Sequence, residues 1–445
     1  MNKTQFFSIA VSLAGFLFGF DTIVISGAEQ TLQELWSSYT LLGSNDNFHG
    51  YVVVGSALFG TIFGALFGGY PTDKLGRKKT LIWIGILYTV SATGSALVSD
   101  PWLFAFYRFL GGIGVGASTI AAPAYISEIA SSKNRGALVA TYQFNIVFGI
   151  FVAFVTNYLI ATYVTLDTWR WMIGIEAFPA LIYTLTVFSI PKSPRWLVLN
   201  GKNQEAILVI QKIHPNSEAT KIINDIKALD DYTLSESIFQ KKYKRVIFLA
   251  FAVAFFNQFS GINAFLYYSK RIFEEAGLGD QAALLGSIGV GIANLVFTLL
   301  GMYLIDKLGR RLLMIIGSIG YIISLLFVSL AFFFNWNGMV LPISLFLFIG
   351  AHAIGQGAII WVFISEIFPN KVRSYGQAIG TSTHWVLAFI IPSSVPFLIA
   401  KVGAGSLFLF FAIMMVFQLL WVIYVMPETK GIALEDIEKE LVGNE

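Results

Sequence analysis

Read as apolar runs broken by polar clusters, the chain divides into twelve apolar stretches. They lie near 6–28, 50–70, 80–98, 102–126, 137–162 and 170–190, then 246–268, 283–305, 312–334, 340–365, 375–399 and 405–426. Each is close to the ~20 residues a helix needs to cross a bilayer. Lipid offers backbone N–H and C=O groups no partner, so such stretches are predicted as helices. One long polar stretch, 191–245, separates the sixth from the seventh. The pattern predicts an all-α polytopic membrane protein of two six-helix halves, 1–190 and 246–426, with a linker over 191–245 and a tail over 427–445. Within the linker, alternating apolar faces predict short helices over Asn203–Ile213 and Ser217–Leu229.

Composition narrows the class. Of 445 residues, 56% are hydrophobic and 12% charged, with a mean hydropathy of +0.71. Soluble domains carry about 25% charge, so an ordinary soluble enzyme is excluded, as are disordered and collagen-like chains. The absence of cysteine removes disulfides, thiolate metal sites and cysteine nucleophiles. A net charge of +3 is too small to imply nucleic acid. No cleavage site follows Lys3 and the first apolar run, which predicts a retained first span. The placement of basic residues matters more than their number. With the N-terminus inside, inner segments hold 24 Lys and Arg and outer segments hold 4 (Arg170, Lys270, Arg271 and Lys401); Arg108 lies within a span. This bias predicts cytoplasmic termini and a cytoplasmic linker.

The two halves repeat. Asp73-Lys74-Leu75-Gly76-Arg77-Lys78 follows the second span, and Asp306-Lys307-Leu308-Gly309-Arg310-Arg311 follows the eighth, 233 residues later. Glu128 and Arg135 after the fourth span are matched by Glu366 and Arg373 after the tenth, at an offset of 238. Duplicated halves around a central cavity are a transporter architecture. Asp73, Arg77, Glu128, Arg135, Asp306, Arg310, Glu366 and Arg373 are therefore candidates for a cytoplasmic gate of ion pairs, or for simple anchors of helix ends.

Charges deep in a span are costly and functional by default. Asp21, Arg108 and Glu176 are the candidates. An ionised carboxylate paired with a cation is stable while water reaches it; closing a dry cavity favours its protonation, which frees the cation for another carboxylate and couples the proton to which side is open. A static structural pair is the other reading. No metal-ligand cluster or nucleotide loop accompanies these charges, which leaves an enzyme without a site and the proton gradient as the energy source. Gly111-Gly112-Ile113-Gly114-Val115-Gly116 lies inside the fourth span, where close helix packing explains it better than phosphate binding.

The ordered motifs resemble the sugar porter family of the major facilitator superfamily over nearly the whole chain, in the manner of bacterial proton-coupled glucose and xylose symporters. They are Phe18-Gly19-Phe20-Asp21, Gly69 to Arg77, Arg108-Phe109, Glu128 to Gly136, Pro191-Lys192-Ser193-Pro194-Arg195, Asn257-Gln258-Phe259-Ser260-Gly261-Ile262-Asn263 with Tyr267-Tyr268, Asp306 to Arg311, and Pro427-Glu428-Thr429-Lys430-Gly431. Two departures stand out: Lys192 replaces a usual Glu, and Asn257 replaces a usual Gln. The resemblance implies the major facilitator fold, a central sugar site and, at Asp21, the titrating carboxylate of proton-coupled members paired with Arg108. The facilitative animal glucose carriers have Asn at the Asp21 position.

A sugar presents hydroxyls that both donate and accept, and neutral amides do the same without burying a charge. Aromatic rings cover its C–H faces. By resemblance, Gln143, Gln258, Asn263 and Asn294 bond the sugar and Trp361 lies against it. Asn257, Phe20 and Tyr268 are further lining candidates. Gln258 and Asn263 lie about 140° apart on a straight helix, and Gly261 permits the break that brings both to one ligand. His384-Trp385 matches a usual Gln-Trp or Asn-Trp pair, so His384 is expected to alter sugar preference or to bond a neighbouring helix. His352 reads as structural.

The expected function is sugar:proton symport, importing a monosaccharide such as D-glucose or D-xylose by alternating access, with no cofactor. The partners are the sugar, the proton and the bilayer; no nucleic acid or obligate protein partner is implied. A facilitative sugar or polyol carrier is the first alternative. A transporter-like sensor is remoter, because such proteins carry long cytoplasmic extensions and this chain continues only about 19 residues past its last span. Short tails, motif variants and the lack of an outer-loop glycosylation sequon place it in a bacterial cytoplasmic membrane.

Overall fold

The computed structural model describes residues 3–131, 134–213, 219–230, 236–336, 338–369, 371–432 and 434–443. Eleven helices among these are long and apolar enough to cross a membrane. The last, Arg373–Tyr424, is interrupted at Gly403 (φ 78°, ψ 156°), which L side chains rarely adopt. It therefore joins two spans, which gives the expected twelve. No strand is present among the described residues.

The linker holds helices Pro194–Leu199, Asn203–Ile213 and Ala219–Asp230. Asn203–Ile213 falls where its periodicity predicted. The expected start of the next helix, Ser217, lies outside the described residues, and its end is one residue later than expected. Short helices that were not anticipated include Pro194–Leu199, Glu29–Leu35, Ser269–Glu275 and Leu434–Val442. Each has fewer than ten residues, too few for a periodic pattern to stand out.

Two compact units are distinguished by their internal packing. The first comprises Met1–Thr22, Ser56–Ala153 and Arg170–Ser235. Its helices approach closely through small residues, as apolar surroundings require. A methyl group on Gly112 would collide with the Ala57 carbonyl, and one on Gly116 with the Thr61 carbonyl. Gly19 is pressed likewise against Ile146, and Gly149 against Phe16. The glycine run in the fourth span is thus a packing surface.

The second unit comprises Ile23–Gly55, Phe154–Trp169 and Glu236–Glu445. Val246, Val253, Leu313, Phe363 and Ile364 form part of its core. Two of its spans are discontinuous. The seventh runs Lys244–Phe259, breaks at Ser260 and Gly261, and resumes as Ile262–Tyr267. The tenth runs Val340–Ile354, breaks at Gly355 (φ −85°, ψ −101°), and resumes as Gln356–Ile367. Gly355 packs on Gly317, where an added Cβ would sit 2.9 Å from the Gly355 Cα. Backbone broken at membrane depth is tolerated where it lines a cavity or is buried in protein.

Candidate sugar and proton sites

In the first unit, the helix Pro101–Ile129 carries Arg108 toward Asp21 of the helix Lys3–Val24. Arg108 Nη1 donates to Asp21 Oδ1 at 2.5 Å, and Nη2 donates to the Asp21 carbonyl at 3.1 Å. Both residues are buried, at 1% and 2% exposure. Gly111, one turn beyond Arg108, leaves the space: a Cβ there would meet the Ser91 hydroxyl and lie 3.6 Å from Asp21 Oδ1. Glu176 is buried just before the helix Ala177–Ser189. It interacts electrostatically first with Asp21 and then with Arg108. The three residues singled out as deep charges are therefore one group. Gln143 is half-buried on the helix Arg135–Tyr163, and Phe20 is buried beside Phe16, with ring centroids 5.8 Å apart.

In the second unit, Gly261 adopts φ 80° and caps the second piece of the seventh span. This left-handed turn replaces the straight-helix geometry that would separate Gln258 from Asn263. Asn263 Nδ2 donates to Gln258 Oε1 at 2.9 Å. Gln258 Nε2 donates to Asn257 Oδ1 at 2.9 Å and lies 3.1 Å from His384 Nδ1. So Asn257, Gln258, Asn263 and His384 form a single polar cluster, and Asn257 reaches it despite its shorter side chain. Trp361 flanks it, its ring 4.9 Å from that of His384 and 39% exposed, and the Trp385 ring lies 5.0 Å from that of His384. An exposed indole face beside a row of amides is what a sugar's hydroxyl edge and C–H face require.

The remaining predicted residues of this unit have other neighbours. Asn294 is buried on the helix Asp280–Leu308 and accepts from Thr298 at 3.4 Å. Tyr268 is buried with its hydroxyl unpartnered and the Arg271 guanidinium 5.7 Å from its ring centre. His352 accepts or donates to the Tyr321 hydroxyl at 2.5 Å, in keeping with a structural role.

The repeated motifs build one ionic cluster in each unit. In the first, Arg77 holds Asp73 and Glu128, each at 3.0 Å, and the Ser193 hydroxyl donates to Glu128 Oε2 at 2.5 Å. In the second, Arg310 holds Asp306 at 3.2 Å and Glu366 at 2.8 Å, and the Thr429 hydroxyl donates to Glu366 Oε2 at 2.6 Å. Arg135 is exposed at a helix start, and Arg373 Nε donates to the Phe368 carbonyl at 3.2 Å. Ser193, Thr429 and Glu428 were not singled out as gate candidates. The signal was present: Pro191-Lys192-Ser193 and Pro427-Glu428-Thr429 recur at an offset of 236, beside the offsets of 233 and 238.

A model of the family described as sugar (and other) transporter matches residues 7–441. The chain belongs to this family. It is 34% identical to the D-xylose-proton symporter of Escherichia coli K12, over 98% of this chain and 96% of that one. It is likewise 34% identical to the glucose transporter GlcP of Staphylococcus epidermidis, over 99% and 97%. Among solved structures, the inward-open conformation of the xylose transporter XylE from Escherichia coli superposes with a TM-score of 0.88 at 32% identity, covering 98% of this chain and 99% of that one. The fold is that of a bacterial sugar porter, and the chain is a multi-pass membrane transporter, not an enzyme.

Proposed function

We infer that this protein is a sugar:proton symporter that imports a pentose or hexose resembling D-xylose or D-glucose. The observation that carries the proton half is the buried group of two carboxylates and one guanidinium. Asp21 and Glu176 against Arg108 leave one negative charge uncompensated away from water, and a bound proton completes the balance. The relatives' printed substrates and the amide-and-indole cluster around Gln258 support the sugar half.

In this reading the halves 1–190 and 246–426 are the moving bodies, and the bias of 24 inner basic residues to 4 sets the termini and linker in the cytoplasm. Asp21 takes the proton from the outer solution and loosens its hold on Arg108. Glu176 then competes for the guanidinium. Sugar bound in the second unit by Gln258, Asn263 and Asn294 against Trp361, with Asn257, Tyr268, His384 and Trp385 shaping the lining, lowers the barrier to exchange of sides. No cofactor takes part; the proton gradient drives accumulation.

The test is uptake of labelled xylose, glucose, arabinose and inositol into proteoliposomes with and without an inward proton gradient. One sugar should accumulate only with the gradient, and Asp21→Asn should abolish accumulation while sparing sugar exchange. Accumulation untouched by Asp21→Asn would refute the coupling. The direct Asp21–Arg108 contact would then be a static pair, and the protein an uncoupled carrier.

A further inference from the structure

A second buried ionic group lies at the far end of the first span, and the mechanism above does not use it. Glu29 is 0% exposed. Its carboxylate accepts Arg271 Nε at 2.9 Å and Arg271 Nη2 at 2.6 Å, and His49 Nε2 lies 2.9 Å from Oε2. Arg271 Nη2 also donates to Gln33 Oε1 at 2.5 Å, and Gln33 Nε2 donates to Asp46 Oδ1 at 2.8 Å. Burial pushes the Glu29 carboxyl up, but Arg271 and His49 outweigh it and hold the group below its ordinary value.

These residues come from three separate places in the sequence, all within the second unit. Glu29 opens the helix Glu29–Leu35 after the first span. His49 begins the π-helical stretch His49–Val54 in the second span, and wide turns of this kind recur at functional sites. Arg271 lies on Ser269–Glu275, after the broken seventh span. The same stretch of the second span is sealed against the eleventh. A methyl on Gly50 would collide with the Ser393 carbonyl, and one on Gly55 with its hydroxyl. The Tyr51 hydroxyl meets Ser394 Oγ at 2.7 Å.

We propose that Glu29, His49 and Arg271 are positioning residues of the transport cycle: an ionic latch that holds the outer entrance shut and opens when water reaches it. The proposal rests on the symport reading and on its orientation. An ion pair suits this task because its strength depends on hydration. Closed and dry, the bidentate contact is strong. Once wetted, the same charges are stable apart and the pair is worth little. A two-state entrance follows from one set of side chains.

The chain has no cysteine, so Ser393→Cys is a single reporter of opening. Ser393 is 0% exposed and belongs to neither the sugar nor the proton site. In intact cells treated with a membrane-impermeant maleimide, Glu29→Gln and Arg271→Gln should speed labelling of this cysteine at least tenfold. Gln33→Ala, which removes one acceptor from Arg271, should speed it about threefold, and Glu29→Asp should leave it nearly unchanged. Ser95→Cys, buried in the first unit, should stay unlabelled in the same backgrounds. Unchanged labelling of the Ser393→Cys reporter in all three weakened variants would overturn the latch. Equal acceleration at the Ser95 position would also overturn it, because that pattern is unfolding. Ser38→Cys, on the exposed outer connection, separates the two readings: if it labels only after permeabilisation, the orientation fails and the latch is not on the outer side.

Discussion

The two motif clusters carry the same arginine–carboxylate pair, yet they are finished differently. In each, a glycine with φ near 90° (Gly76, Gly309) starts a helix, and the next residue (Arg77, Arg310) holds a glutamate. In each, the second basic residue bonds the last turn of another helix: Lys78 Nζ to the Phe188 carbonyl at 2.9 Å, Arg311 Nε to the Val422 carbonyl at 3.2 Å. Cations at a helix C-terminus stabilise its partial negative charge. The difference lies in the segment after the sixth helix of each half. Glu428 folds back so that Oε1 accepts the N–H groups of Arg310, Thr429 and Lys430, and Oε2 that of Arg311. A Cβ on Gly309 would sit 2.6 Å from this carboxylate. The corresponding position in the first half is Lys192, which turns away to Glu205 at 2.9 Å. There a Cβ on Gly76 would instead sit 2.9 Å from the Trp196 indole. One half caps its helix with a carboxylate, and the other covers the same glycine with a ring.

This contrast orders the expected effects of mutation. Arg77→Gln should be the most damaging, at about 3 kcal/mol, because it leaves Glu128, whose side chain is 7% exposed, without its guanidinium. Arg310→Gln should cost somewhat less, about 2 kcal/mol, since Glu366 is 19% exposed and so closer to water, while each glutamate keeps one hydroxyl donor, Ser193 or Thr429. Thermal unfolding of the detergent-solubilised protein measures both, and equal losses would break the comparison.

Next is Glu428→Gln, at about 1 kcal/mol for loss of a charged cap. Burial raises the Glu428 carboxyl, but the four backbone N–H groups outweigh it and set the group below 4.5. Its contribution is therefore present above pH 4.5 and is lost as pH falls through the lowered folded value. Melting temperatures of wild type and Glu428→Gln should converge in that acidic window, and a constant gap across pH would refute the assignment.

The smallest effect should be a gain. Lys192→Glu places a carboxylate where the first half lacks one and gives up only an exposed ion pair, so it should stabilise by about 0.5 kcal/mol. Destabilisation would mean that the Trp196 covering leaves no room for the cap.

The spans, their number, the repeat and the deep charges were legible in the sequence, because lipid imposes a long, uniform apolar pattern on every crossing helix. Asp21, Arg108 and Glu176 stood out for the same reason: a charge in such a run has no ordinary explanation. A break at Gly261 was likewise foreseeable, since Gln258 and Asn263 cannot share a face on a straight helix. Glu29, His49 and Arg271 gave no such signal. They lie at span ends and in connections, where polar residues are expected, and are separated by up to 242 residues.

By itself, then, the sequence determined which segments enter the membrane, that the chain is a doubled unit, and which buried charges and amides are available for chemistry. All of these follow from local composition and spacing against a single solvent. Only the tertiary structure decided the partners: that Glu428 serves a helix start 118 residues before it, that His384 meets Gln258, and that three span ends converge on Glu29. A buried polar group is satisfied by whatever donor packing brings within about 3 Å, and that neighbour is set by how helices pack, not by their own periodicity.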